Sequence, residues 1–184
     1  YGRQFETILS KNKTMEKFNM KATRFITKAA VIAALYFVLT LLQSVLFPES
    51  ASMAIQFRAS EALCVLALFT PSAVYGLTLG CLLSNLLFAG TLPLDFFIGT
   101  LATLLATWSM YRLRNVLVWK LPLPALMMPV VCNALLVGGE LTIYLSEMSF
   151  WTNALFVGLG ELGVMATLGI GLWFACKPLS KLLR

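Results

Sequence analysis

The sequence predicts an all-α integral membrane bundle of six transmembrane helices with both termini cytoplasmic, and three observations carry that prediction. The first is a run of 33 consecutive uncharged residues, Ala62 to Leu94, between Glu61 and Asp95. The second is composition: 59% of the 184 residues are hydrophobic and 12% charged, against roughly 25% charged in soluble domains. The third is the placement of the 14 lysines and arginines, which mark tails and loops rather than a stripe suited to nucleic acid. A hydrocarbon core of roughly 30 Å takes about 20 apolar residues per helix, and its backbone polar groups must be satisfied within the segment. Helices are therefore the default.

Residues 1–24 are polar and basic, with only a weak Phe5, Ile8, Leu9 spacing, and are expected to form a cytoplasmic tail ahead of one membrane domain over 25–184. Met15 or Met20 is expected as the natural start. The first span is placed at 25–47. Its uncharged run Ala29 to Phe47 has 19 residues, longer than the roughly 7–15 apolar residues of a cleaved signal peptide. Pro48 to Phe57 then reads as an external loop that gates whatever lies beneath it. One helix from Arg58 to Ala89 would be about 48 Å long, and Thr70-Pro71 supplies a break. Two helices, 58–69 and 72–89, are expected instead. Further spans follow at 94–111, 122–146 and 150–176, separated by Gly90 to Pro93 and by the basic loop from Arg112 to Lys120.

The positive-inside rule supports this division. With six spans, seven basic residues through Lys28 lie at the N-terminal side, three in the Arg112–Lys120 loop and three in the C-terminal tail, so 13 fall inside and only Arg58 outside. Merging 58–89 into one crossing would split the charges 7 against 7.

Several chemistries find no support. Histidine is absent, and Cys64, Cys81, Cys132 and Cys176 stand singly in apolar runs, which suits small buried residues better than zinc or haem ligation. No cofactor is expected. There is no phosphate-binding G-x-x-x-x-G-K-[ST] loop, and no nucleophile stands beside a base in sequence.

The acids point to a site in the outer half of the membrane. Glu61 and Asp95 sit at outer helix ends, Glu140 about 8 Å inward and Glu161 about 16 Å down the last helix. An ionisable group at such depth needs a partner or a cavity and is by default functional. Asn85, Phe88, Phe96, Phe97, Tyr144, Trp151 and Asn153 share this outer half, with Asn133 deeper. Carboxylates, amides and flat rings would suit a planar, nitrogen-rich ligand. Alternatively, the aromatics form an interfacial belt, Asn85 and Asn133 bond between helices, and Arg58 and Glu61 pair on one helix face. On the first span, Ala29, Ala30, Ala33 and Ala34 form two overlapping A-x-x-x-A pairs that would admit a partner helix or pack inside the bundle. If they are a docking face, Ala33→Trp would separate ligand binding from transport.

The segment Gln56-Phe57-Arg58-Ala59-Ser60-Glu61-Ala62-Leu63 resembles the Q-F-R-x-S-E-A-L signature of QueT-type proteins, which are substrate-binding S components of energy-coupling factor (ECF) transporters assigned to queuosine precursors. The stretches Gly80-Cys81-Leu82-Leu83-Ser84-Asn85-Leu86 and Gly99-Thr100-Leu101-Ala102-Thr103-Leu104-Leu105-Ala106 and the pair Gly160-Glu161 are similar too. The likeness runs from about Met20 to the C-terminus. It implies six helices and an external pocket covered by the loop after the first helix, for a 7-deazaguanine, queuine or queuosine. From the residues themselves, Gln56, Arg58, Glu61, Asn85, Asp95, Glu140, Tyr144, Trp151 and Glu161 are the ones expected to bind it. The likeness also implies docking through the alanine face onto a transmembrane T component that couples to two ATPase subunits, in a prokaryotic plasma membrane. The competing reading is a stand-alone secondary transporter or channel for a small polar metabolite, which inverted repeats would favour; none is apparent.

Overall fold

The computed structural model describes residues 2–47, 57–87, 93–144 and 148–180, with side chains from residue 19 onward except that of residue 93. Of the loop over Pro48 to Phe57 expected to gate, residues 48–56, including Gln56, lie outside the described residues, as does Phe88. Every described element is helical except for one isolated antiparallel bridge, Val118 to Leu121.

Helix α1 runs unbroken over Gly2–Leu46. No glycine or proline occurs from Arg3 to Phe47, so nothing interrupts the helix until Pro48, whose ring disfavours a helical predecessor, and the segment expected as a tail is helical from Gly2 onward. Next comes a ten-residue 3-10 segment, Ala59–Leu68, buried over most of its length. It ends at Thr70-Pro71, where the sequence places a break, and α2 follows over Ser72–Leu87. A short 3-10 turn, Pro93–Phe96, leads into α3, Ile98–Leu113. Then come α4 over Leu123–Tyr144 and α5 over Phe150–Val164, the latter capped by Ser149, whose hydroxyl accepts from Thr152 N–H at 3.3 Å. A π-helical turn, Met165–Gly169, joins α5 to α6, Ile170–Cys176.

Among the described residues, four helical runs are long and apolar enough to cross a membrane: Asn19–Leu46, Leu94–Leu113, Leu123–Tyr144 and Phe150–Cys176. The 3-10 segment and α2 are apolar but shorter. At about 2.0 and 1.5 Å per residue they extend only about 20 and 24 Å, the consequence of dividing one apolar stretch at Pro71. The polarity of the bundle is inverted relative to a soluble protein. Val31, Leu35, Val38, Leu42, Leu79, Leu83, Leu155 and Leu159 face outward, while Glu61, Asn85, Thr103, Asn133, Glu140 and Glu161 are buried. Only lipid around the helices makes that arrangement favourable. The chain is a multi-pass membrane protein.

Small residues set the helix spacing. A Cβ on Gly76 would lie 2.5 Å from the Ala29 carbonyl oxygen, and one on Gly80 would lie 2.8 Å from both the Ala33 carbonyl oxygen and Tyr36 Cβ. Helices α1 and α2 therefore meet backbone to backbone, and Ala29 and Ala33 are buried in that seam. Ala30 and Ala34 are exposed on α1. The four alanines thus do not form a single docking face: one pair packs inside, and Ala33→Trp would overpack the seam rather than test docking. Gly138 meets the Ala154 backbone in the same way, with its Cβ position 2.7 Å from Ala154 Cα, bringing α4 against α5.

The seam can be probed directly. Gly76→Val should cost about 1–3 kcal/mol through overpacking against Ala29 and lower the melting temperature of the purified protein in detergent. Ala30→Val, on the exposed side of the same helix, should leave it unchanged.

Candidate functional site

The 3-10 geometry of residues 59–68 is what organises the polar interior. With three residues per turn, positions i and i+3 eclipse, so Arg58, Glu61 and Cys64 stand in one column. The Cys64 thiol donates to Glu61 Oε2 at 3.1 Å, and Glu61 N–H donates to the Arg58 carbonyl at 3.0 Å. Glu61 does not pair with Arg58 through side chains. Its Oε1 accepts from the Tyr36 hydroxyl of α1, and the Thr103 hydroxyl of α3 lies 3.5 Å away. A carboxylate buried among three helices is thereby furnished with three donors.

Arg58 turns the other way. Its Nη2 donates to Asp95 Oδ2 at 2.6 Å and its Nη1 to Asn85 Oδ1 at 3.4 Å. Asn85 in turn donates through Nδ2 to the Asp95 backbone carbonyl at 2.8 Å. Asn85 is thus the interhelical bridge that the sequence left open, and Arg58 and Asp95 form an ion pair across 37 residues of chain. Gly99 makes the space for it: a Cβ there would collide with Asp95 Oδ1 and lie 2.8 Å from Asn85 Nδ2.

The segment 57–61 is further clamped to α1. Gln43 accepts the Ala59 N–H on its Oε1 at 2.7 Å and donates through Nε2 to the Phe57 carbonyl, and the Thr40 hydroxyl donates to Ser60 Oγ at 2.9 Å. Tyr36, Thr40 and Gln43 recur at helical spacing, so one stripe of α1 holds the start of the 3-10 segment. None of the three stood out in the sequence as a site residue. The available signal was a run of polar groups at i, i+4 and i+7 within an otherwise apolar span.

Beyond these partnered groups lie acceptors with nothing to accept from. Glu140 is 1% exposed and neither of its carboxylate oxygens has a hydrogen-bond partner. Glu161 is hydrogen-bonded by Asn133 but its Oε2 is unpartnered, as are Asp95 Oδ1, the Thr100 hydroxyl and Asn153 Oδ1. Asn153 otherwise donates to Thr142 Oγ1 at 3.2 Å, across α4 and α5. Glu140 lies within electrostatic reach of Asp95 and Arg58, and Glu161 within reach of Glu61 and Arg58. Arg58 is therefore common to both groups. Buried polar atoms in folded proteins are partnered in roughly 90% of cases or more, so these six atoms on α3, α4, α5 and the 93–96 turn are exceptions among the described residues.

The remaining expected residues take other positions. The Tyr144 hydroxyl accepts the Leu94 N–H at 3.0 Å and latches the end of α4 to the 93–96 turn. Trp151 is 75% exposed, edge-on to Phe150 with ring centroids 5.1 Å apart, and stands apart from the polar cluster. Phe97 is likewise exposed, packed edge-on against Phe96. Exposed aromatic rings at helix ends fit an interfacial belt. Glu61 and Asp95, expected at outer helix ends, are both buried and largely partnered. Among the described residues, no three His, Cys, Asp or Glu side chains come together in a way that would hold a metal ion.

No curated protein and no solved structure matches the chain. A family model does: that of the QueT transporter matches residues 26–178, from the apolar part of α1 to just past α6. The resemblance carried by residues 56–63 and the buried polar interior agree with that match over most of the chain, and the protein belongs to the QueT transporter family.

Proposed function

We propose that this chain is the substrate-binding S component of an ECF-type importer and that its buried acceptors capture a queuosine-related 7-deazaguanine from outside the cell. Family membership supports uptake of a queuosine precursor. The single observation that carries the site is the set of unpartnered acceptors around Glu140. A 7-deazaguanine presents an N1–H beside an exocyclic amine, two parallel donors that one carboxylate can accept together. Glu140, with both oxygens free, suits that two-point contact better than Glu161, which has one free oxygen. Glu161 Oε2 and Asp95 Oδ1 then remain for the substituent on the ring. Those atoms only accept, so an aminomethyl group is favoured over a nitrile, which brings no donor.

The same reading places six crossings in a prokaryotic cell membrane with both termini inside, supported by the 13-to-1 distribution of basic residues in the six-span division. In it the 3-10 segment and α2 together with their flanking turns make the second and third crossings. The chain itself is not an enzyme, and ATP hydrolysis falls to two partner ATPases acting through a transmembrane T component. Ala30 and Ala34, four residues apart and exposed, are the small-residue pair left to admit that partner.

Binding of 7-aminomethyl- and 7-cyano-7-deazaguanine to the purified protein tests the site. The aminomethyl compound should bind more tightly, and Glu140→Gln should lose about 2–4 kcal/mol of affinity because the ligand donors meet an unsuitable partner. Glu161→Gln should reduce the preference for the amine. Normal binding by both variants would remove the assignment.

Docking is tested separately. Ala34→Trp should leave ligand affinity within about twofold while abolishing co-purification with a T component and its ATPases, because the bulky ring blocks close helix approach. Unimpaired ATP-dependent uptake by that variant would move the interface elsewhere. Ligand-driven uptake without any partner subunit would favour a stand-alone transporter.

A further inference from the structure

The link between α3 and α4 closes in a tight hairpin. Val118 and Leu121 exchange backbone hydrogen bonds, Val118 N–H to Leu121 at 2.8 Å and Leu121 N–H to Val118 at 3.0 Å, leaving a two-residue turn made of Trp119 and Lys120. Both turn residues have positive φ, 51° and 66°. A two-residue hairpin with left-handed backbone at both positions is the turn for which asparagine and glycine are preferred. Here it is built from a bulky aromatic and a long cation, residues that seldom adopt that conformation. The turn holds Trp119 87% exposed at the tip, and Val116, Leu117 and Val118 are exposed beside it.

The flanking sequence carries basic charges alone. Residues 96–139 contain no aspartate or glutamate. Arg112 stacks over Trp108 at 5.7 Å and Arg114 over Tyr111 at 4.0 Å, so the guanidinium groups are held by rings at the end of α3. Among the described residues neither they nor Lys120 meet an acid. The helices on both sides are long and apolar enough to cross a membrane, so their link lies where they leave the hydrocarbon. An apolar tip with an indole is stable at that boundary, and cations beside it attract anionic headgroups.

We propose that the Val116–Lys120 hairpin is an anionic-phospholipid binding site: Trp119 and the neighbouring aliphatic residues enter the interface, and Arg112, Arg114 and Lys120 hold the headgroup phosphate. The turn residues serve this contact at the expense of backbone preference. The site is separate from the carboxylate cluster and does not depend on the transported ligand.

Native mass spectrometry of the full chain released from nanodiscs of mixed phosphatidylglycerol and phosphatidylcholine reads the preference. The wild type should retain phosphatidylglycerol selectively. Trp119→Asn with Lys120→Gly, which installs residues favoured in this turn, should weaken that selectivity by about fivefold for the cation removed, with a melting temperature equal to or above that of the wild type. Should the double variant fold poorly, the fluorescence difference between wild type and Trp119→Phe gives the same reading: Trp119 should be quenched more by brominated phosphatidylglycerol than by brominated phosphatidylcholine. Equal retention by wild type and double variant, or equal quenching by the two lipids, overturns the proposal. So does a double variant that keeps its lipid selectivity but no longer co-purifies with partner subunits, which would make the hairpin a protein contact.

Discussion

A guanidinium and several carboxylates removed from water must be matched with one another or with donors, since an uncompensated buried charge costs several kcal/mol. In this bundle Arg58 is where that matching begins. Its pairing with Asp95 fixes the start of the 3-10 segment against the 93–96 turn, and it lies within electrostatic reach of Glu140 and Glu161, where it partly offsets the carboxylates of Asp95 and Glu61. The glycine at position 99 and the amide of Asn85 follow from the same requirement: one leaves room for the carboxylate of Asp95, the other ties its backbone. Among the described residues, Glu140, Glu161 and Asp95 still hold carboxylate oxygens that no donor reaches.

Helix α1 serves two surroundings at once. Tyr36, Thr40 and Gln43 hold the polar segment at 57–61, while Ala29 and Ala33 press against the glycines of α2. Its other side, with Ala30, Val31, Ala34, Leu35 and Val38, faces outward. A change in the polar interior and a contact on the outer surface therefore bear on the same rigid element, which is the physical requirement for one to influence the other.

Much of this was legible in the sequence because it depends on features that composition and spacing record. The uncharged runs locate the helices, Pro71 divides one of them, and the depth of Glu140 and Glu161 within apolar runs marks them as buried. What could not be read depends on packing. The pairs Ala29/Ala33 and Ala30/Ala34 have the same i, i+4 pattern, and only the position of Gly76 and Gly80 decides which is inside. Spacing puts Glu61 three residues from Arg58, yet the partner is Asp95 from a distant segment. The helix over residues 2–24 was not apparent because they are polar, yet polarity alone does not break a helix. Trp151 shares its depth with the site residues but not their direction, which depends on the rotation of α5 about its own axis.

That rotation also gives meaning to the π-helical turn at Met165–Gly169. Buried positions on α5 fall at Asn153, Ala154, Val157, Gly160, Glu161 and Val164 and continue to Met165, after which the pattern slips by one residue to Gly169, Trp173 and Cys176, with Leu168 exposed. One extra residue in a turn offsets everything beyond it by about 100° relative to an uninterrupted α-helix. Residues 150–176 therefore behave as two helices in different phase, joined without a loop: the first directs Glu161 to the polar interior and the second directs Trp173 to the apolar core. Wound as one regular α-helix without that turn, the same residues could satisfy only one of those two environments, because the buried positions on either side are one residue out of step.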